Sequence, residues 1–384
     1  MDGFYAAIMR PMRPVVGLGL ALSIAAGGAC SGGGRGVRPA PSAVAIAELS
    51  RELSEPAGSF DTDNLVSNET SYLQVADELE ALGRKGGVYV GVGPEQNFSY
   101  LARLRPSWAY VVDVRRGNLL QHLMLAALLA DAEDPYHYLC GLFARPCPAR
   151  TPARAAASIE GALAALAETP RDASVLRERL ERTAAWARAA GFELDANDRS
   201  QLEAMQRAFF DGQLELRFQS LGRPWQTHHP SYRRLLFERS PSGRHGHFLA
   251  SAADYAVVRD LARAGRIVPL VGDFAGPKAL RALGERLRGR GESVSAFYLS
   301  NVEYYLLRDG SFDAFARNLA ALPAADDSLL IRACFDYGRR HPAGVPGHRS
   351  TTVLQSLPRF LELARADAYE TGWDVCTLDF VRPE

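Results

Sequence analysis

Lysine is almost missing from this 384-residue chain: Lys85 and Lys278 are the two it has, and arginine supplies the rest of a basic total that equals the acidic total at 44 each. That balance leaves no net field to recruit nucleic acid, and with the abundant alanine it reflects a GC-rich genome more than a binding specialisation. Signatures of metal and nucleophile chemistry are missing too. The chain has no CxxC or Cys/His zinc spacing, no HExxH, no GxSxG elbow and no phosphate loop. His245 and His247 form an HxH pair in a Gly/Ser-rich loop without a recognisable third ligand, and His228-His229 stands before a proline. His247 stays a candidate acid–base group. Long apolar runs are also lacking. The stretch Pro14 to Ala29 is too short and glycine-rich for a confident membrane span.

What that stretch does have is the make-up of a targeting segment. Arg10 and Arg13 precede it, small residues end it, and AGGAC is followed by SGGGRGVRPAPS. Cys30 resembles the lipidated cysteine of a bacterial lipobox, with Gly27 where that motif usually has leucine. The expected organisation is a signal or lipoprotein segment over 1–30, a flexible tether over 31–45 and one folded domain over 46–384. A lipidated Cys30 would anchor that domain to a membrane. A start codon called too early would leave it cytoplasmic. Cys140 and Cys147 are close enough to pair in an oxidising compartment, but the simpler expectation makes Cys140, Cys147, Cys334 and Cys376 small buried hydrophobes.

The remaining pattern is α/β. Apolar runs predict strands at Val88–Val92, Ala109–Val112, Arg266–Val271, Ser293–Leu299, Ser328–Phe335 and Asp374–Phe380. Helices are expected at Leu119–Leu129, Pro277–Arg290, Phe312–Ala321 and Thr352–Ala366, and another after a cap at Ser67, with Tyr72, Val75, Leu79 and Leu82 at helical spacing. Strands alternating with helices imply a mostly parallel, Rossmann-like sheet covered by helices on both faces. A helical insertion at about 140–235 interrupts it.

Residues 86–118 carry the strongest local signal. A strand runs into a turn bearing Gly91 and Gly93, a helix opens at Pro94, and a second strand ends on Asp113. Glycines leaving one strand and an acid closing the next are what a nucleoside site needs. Pro94 removes a donor that a pyrophosphate would use, and Glu95 puts a negative charge where phosphates would lie. A nucleoside carrying positive charge, such as S-adenosylmethionine, suits that turn better than NAD. Arg115-Arg116 keeps open an alternative in which a basic pair holds the 2′-phosphate of NADP. Asp113 is equally able to pair with Arg115 or Arg116.

Two later strand ends complete the set: Gly272-Asp273 in VPLVGDFAGPKAL, and Ser300-Asn301-Val302-Glu303 in VSAFYLSNVEYYL. In this order the motifs resemble class I S-adenosylmethionine-dependent methyltransferases, and over about residues 60–335 an uncharacterised bacterial family of that Rossmann-like kind. The resemblance implies that Gly91, Gly93 and Glu95 wrap the methionine part and that Asp113 holds ribose. It further implies that Asp273 faces adenine, while Ser300, Asn301 and Glu303 line the transfer cleft, with Asn301 and Glu303 as the catalytic candidates. The turn departs from that family in having Gln96-Asn97 in place of a third glycine. Asn64, Asn68 and Glu69, upstream of the first strand, are placed either to fold back over the cofactor or to cap a helix. Exported proteins are not supplied with S-adenosylmethionine, so a membrane-tethered, non-catalytic binding protein on the same scaffold is the competing expectation.

Overall fold

The computed structural model describes residues 43–83, 85–148, 152–153, 157–221, 229–336 and 338–381. The signal-like segment with Cys30, the tether up to residue 42, and His228 lie outside the described residues.

Six strands make one sheet: β1 Val88–Gly91, β2 Trp108–Asp113, β3 Ile267–Val271, β4 Val294–Ser300, β5 Ala324–Phe335 and β6 Ser350–Ser356. Their spatial order is β3-β2-β1-β4-β5-β6. All neighbours run parallel except β5 and β6. The chain is therefore α/β with a mostly parallel mixed sheet. Strands β1 to β4 are near-continuous apolar runs because helices bury both of their faces. Pro269 interrupts β3 without harm because β3 is an edge strand and needs no N–H there. Helix α1 (Ala43–Leu53) covers that edge: Ser50 Oγ donates to Pro269 O at 2.6 Å, and Val271 N donates to Ser54 Oγ at 3.0 Å. This helix begins inside the stretch expected to be tether.

Helix α2 Ala76–Ala81 precedes β1, α3 Gln96–Leu104 joins β1 to β2, and α4 Arg116–Asp131 follows β2. The insertion follows with α5 Pro135–Leu142, α6 Ile159–Ala167, α7 Ala173–Ala189, α8 Ala196–Gly212 and α9 Tyr232–Leu236. It packs on α4 through α7 and α8, and Arg116 anchors it by a paired contact to Asp198 at 2.6 and 2.5 Å. Then come α10 Ala252–Arg263, α11 Ala279–Arg290, α12 Val302–Arg308, α13 Phe312–Ala320, α14 Leu357–Arg365 and α15 Gly372–Thr377. No helix among the described residues is long and apolar enough to cross a membrane.

Three expected elements are corrected. The helix expected at Thr352–Ala366 is a strand followed by a helix. β-branched Thr351, Thr352 and Val353 suit β6, which pairs antiparallel with β5 from Leu329↔Ser356 to Phe335↔Ser350, and Ser356 then caps α14. The strand expected at Asp374–Phe380 is the short helix α15, started by a reciprocal capping box between Thr371 and Asp374. Ser67 caps no helix. Its hydroxyl accepts from Glu69 N at 3.0 Å in a local turn, and the helix begins only at Ala76.

The cysteines are also corrected. All four described cysteines are paired, Cys140 with Cys147 and Cys334 with Cys376, at Cα separations of 6.2 and 5.9 Å.

Candidate functional site

The carboxyl ends of β1, β2, β3 and β4 gather Gly91, Gly93, Asp113, Asp273 and Ser300 along one edge of the sheet. Gly93 takes a φ of +79°, and any Cβ on Gly91 would run into the Asn97 and Tyr89 side chains. Asn97 is the reason for that closeness. Fully buried, it donates to Val92 O at 2.9 Å and Pro94 O at 2.7 Å, and accepts from Tyr89 OH at 2.8 Å. The glycine turn is thus filled from within by the side chain of its own helix. His122 closes it from α4, with Nε2 2.9 Å from Gly93 O. Burial pulls this histidine's pKa down to about 4, so the ring is neutral at pH 7 and Nε2–H donates.

A strap made of residues 54–70 lies along the same edge. Its first anchor is Glu55, whose backbone N donates to Val271 O at 2.8 Å. The Glu55 carboxylate accepts from Lys278 N at 2.8 Å and Ala279 N at 2.5 Å, the free donors of α11. Lys278 provides no side-chain cap of its own, and Gly276 is bare because a Cβ there would strike Glu55. Asp273, exposed, accepts from Ala275 N at 2.8 Å and so caps its own turn.

The second anchor is at β2. Gly58 N donates to Val114 O at 2.9 Å. Asp113, buried, accepts from Arg115 Nε at 3.0 Å and Nη2 at 2.8 Å, and Arg115 Nη1 donates to Asp63 O at 2.9 Å. Asp113 holds an arginine that holds the strap.

The third anchor lies at the β1–β4 boundary, where the strand order reverses. Asn64 sits beside Gly93 at a φ of +48°, and Ser300 ends β4 at +54°. Asparagine adopts such an angle readily, whereas for serine it is uncommon. Glu69 is buried beside Ser300. It accepts from Tyr298 OH at 2.8 Å, from Gln96 Nε2 at 3.1 Å and from Ser300 Oγ. Burial raises its pKa, and the three donors oppose that rise. Asn68 is half-buried nearby in sequence.

Glu95 faces away from this edge. Its carboxyl accepts from Tyr138 OH of α5 at 2.9 Å and lies 3.8 Å from His247 Nε2. Burial pushes Glu95 up to about 7 and His247 down to about 3. His245 pairs with Glu160 at 2.8 Å, away from His247. Among the described residues, no group of three or more His, Cys, Asp or Glu side chains is placed to hold a metal ion.

Beyond β4 the edge is open. A cavity of about 230 Å³ is bordered by Asn301, Glu303, Tyr304, Arg332, Arg339 and Trp373, with the Cys334–Cys376 disulfide in its wall. Its floor is a buried ion pair: Arg332 Nε donates to Glu303 Oε2 at 2.8 Å and Nη2 to Oε1 at 3.1 Å. Arg332 Nη1 donates to Gln355 Oε1 and Val375 O, both at 2.7 Å. Burial raises the Glu303 pKa against the pull of Arg332, and with both oxygens engaged Glu303 is no available base. Asn301 borders the cavity too, so the two catalytic candidates are brought together, here beside an aromatic and basic rim.

Sequence reasoning missed Glu55, Arg332, Arg339 and Trp373. A proline-flanked SEPAGS stretch and a lone arginine in the apolar run SLLIRACF were the available signals. No curated protein matches the chain. Residues 64–372 match the family described as Domain of unknown function (DUF7790). That span is most of the chain and runs from Asn64 at the strap to Gly372 at the cavity, so the chain belongs to that family.

Proposed function

We propose that this chain is a non-catalytic, small-molecule-binding protein on a Rossmann-like scaffold, tethered to a membrane and working outside the cytoplasm. One observation carries this reading. Three of the places that a nucleoside would use along β1–β3 are already taken by the chain itself: Asn97 fills the glycine turn, Arg115 engages Asp113, and Glu55 holds the first turn of α11. The cavity past β4 remains for a ligand. Two disulfides suit an oxidising compartment, in keeping with the signal-like start of the chain. The strand order, reversing between β1 and β4, is the order of Rossmann-like sheets. An NADP reading loses its basic pair, since Arg115 and Arg116 are committed to Asp113 and Asp198.

A second reading, an S-adenosylmethionine-dependent methyltransferase with unknown acceptor, is favoured by the polar cluster of Glu69, Ser300 and Tyr298 at the switch point. It requires the strap to lift and Asp113 to exchange Arg115 for ribose. Calorimetry with S-adenosylmethionine and S-adenosylhomocysteine separates the two. No heat with either ligand is expected. Micromolar binding that disappears in Asp113→Ala would establish the methyltransferase reading in its place.

A further inference from the structure

The chemistry of the cavity past β4 narrows what it takes, given that it is the ligand site proposed above. Its charges sort into engaged and unengaged groups. Arg332 and Glu303 neutralise one another, and every Arg332 nitrogen has a partner. His341 places Nε2 2.9 Å from Cys376 O and accepts from Ala343 N at Nδ1, and burial lowers its pKa, so it adds no charge at neutral pH. Arg339 is different. Its guanidinium lies 4.3 Å from the centroid of the Trp373 ring and has no ion-pair partner among the described residues. It is exposed at the mouth, so holding a charge there needs no buried counter-ion. The walls are flat rings, with Trp373 and Tyr304 both bordering the space.

From these facts we infer that the cavity binds a planar, single-ring ligand bearing one carboxylate. The ring packs against Trp373 and Tyr304, and the carboxylate meets Arg339. Each part follows from a separate constraint. An apolar cavity of about 150 Å³ already takes benzene, so 230 Å³ accommodates one substituted ring. A guanidinium fork matches a carboxylate by two parallel hydrogen bonds. Stacking Arg339 on Trp373 fixes the plane of that fork in advance, which lowers the ordering cost of binding. The Cys334–Cys376 disulfide joins β5 to α15, the helix carrying Trp373, and so holds the aromatic wall in place.

The experiment is a calorimetric titration of the intact protein with benzoate, benzamide and benzylamine, which share a ring and differ in charge. Benzoate should bind about ten-fold more tightly than benzamide, the advantage of a charge-assisted pair over a neutral one, and benzylamine should give no heat. Arg339→Gln, a change at an exposed position, should reduce benzoate to the level of benzamide, and Trp373→Ala should weaken both. Equal binding of benzoate and benzamide, or an unchanged benzoate preference in Arg339→Gln, overturns the inference. So does the absence of heat with all three compounds. Failure of the broader binding-protein reading shows differently, as micromolar S-adenosylmethionine binding, so the two are separable in the same instrument.

Discussion

The two halves of one sheet edge are built to opposite ends. Along β1–β3 the free backbone donors and the buried acid are satisfied by the chain itself: distant Glu55 caps α11, and neighbouring Arg115 joins Asp113 to the strap carbonyls. Past β4, the polar groups of the floor are equally well satisfied, yet the space above them is left open and one arginine stays unmatched at its rim. In open α/β sheets the crevice outside the strand ends is where ligands bind. Here the chain spends half of that crevice on its own stability and keeps the other half accessible. A glycine turn followed by a strand-end acid therefore indicates where a nucleoside fits in such a sheet, without indicating that the place is vacant.

The sharpest way to break the contrast is at the floor of the open half. Arg332 is 1% exposed, and Arg332→Met leaves Glu303 as a buried, unpaired carboxylate. Removing one partner of such a pair costs about 3–5 kcal/mol. Chemical denaturation should show that loss, and adding Glu303→Leu should restore about 2 kcal/mol of it by removing the stranded charge. A double variant no better than Arg332→Met would mean that the bonds from Arg332 to Gln355 and Val375 matter more than the pair itself.

How much of this was legible in the sequence follows from the range of the interactions. Strands β1 to β4 could be read because burial on both faces makes them plain apolar runs, and Gly91, Gly93, Asp113 and Ser300 fall at their ends as expected. β6 was mistaken for helix because Ser356 and Pro358 give a true helix start, which was extended backwards over Thr352 to Gln355. Contacts that close the edge had no local signature. Glu55 reaches a donor 224 positions away at Ala279, and the SEPAGS stretch around it says nothing of that partner. Spacing alone left the cysteine pairings open as well, since Cys334 and Cys376 meet only because β5 and α15 are neighbours in space.

An intermediate effect is expected where the closed half meets the helical insertion. Glu95 keeps its proton in the folded protein up to about pH 7, whereas in the unfolded chain it ionises near the ordinary glutamate value. Its contribution to stability is fully present below the unfolded pKa and is lost as pH rises to about 7, roughly 3 kcal/mol in all. His122 and His247 act in the opposite sense. Their folded pKa values of about 4 and about 3 lie below the unfolded one, so their contribution appears as pH rises towards the ordinary histidine value. Glu95→Gln removes only the first effect. Between pH 5 and pH 8, urea denaturation should show the variant gaining on the wild type by about 2.5 kcal/mol. Parallel pH profiles would mean that Glu95 is solvated rather than enclosed by Tyr138 and His247.

The smallest effect tests the closure itself. Glu55→Ala removes the carboxylate from the first turn of α11 and leaves the Lys278 and Ala279 N–H groups without their partner. Losing a cap of this kind costs about 1 kcal/mol, too little to unfold the domain but enough to loosen one end of the strap. Hydrogen exchange should then quicken at Glu55 and Gly58, whose amides bond to Val271 O and Val114 O. The amides of β5 should be unaffected, because the Arg332–Glu303 floor beneath the cavity makes no hydrogen bond to the strap. Exchange that quickens equally in both regions would show the two halves to be one cooperative unit, and the open half would then owe its shape to the closed one.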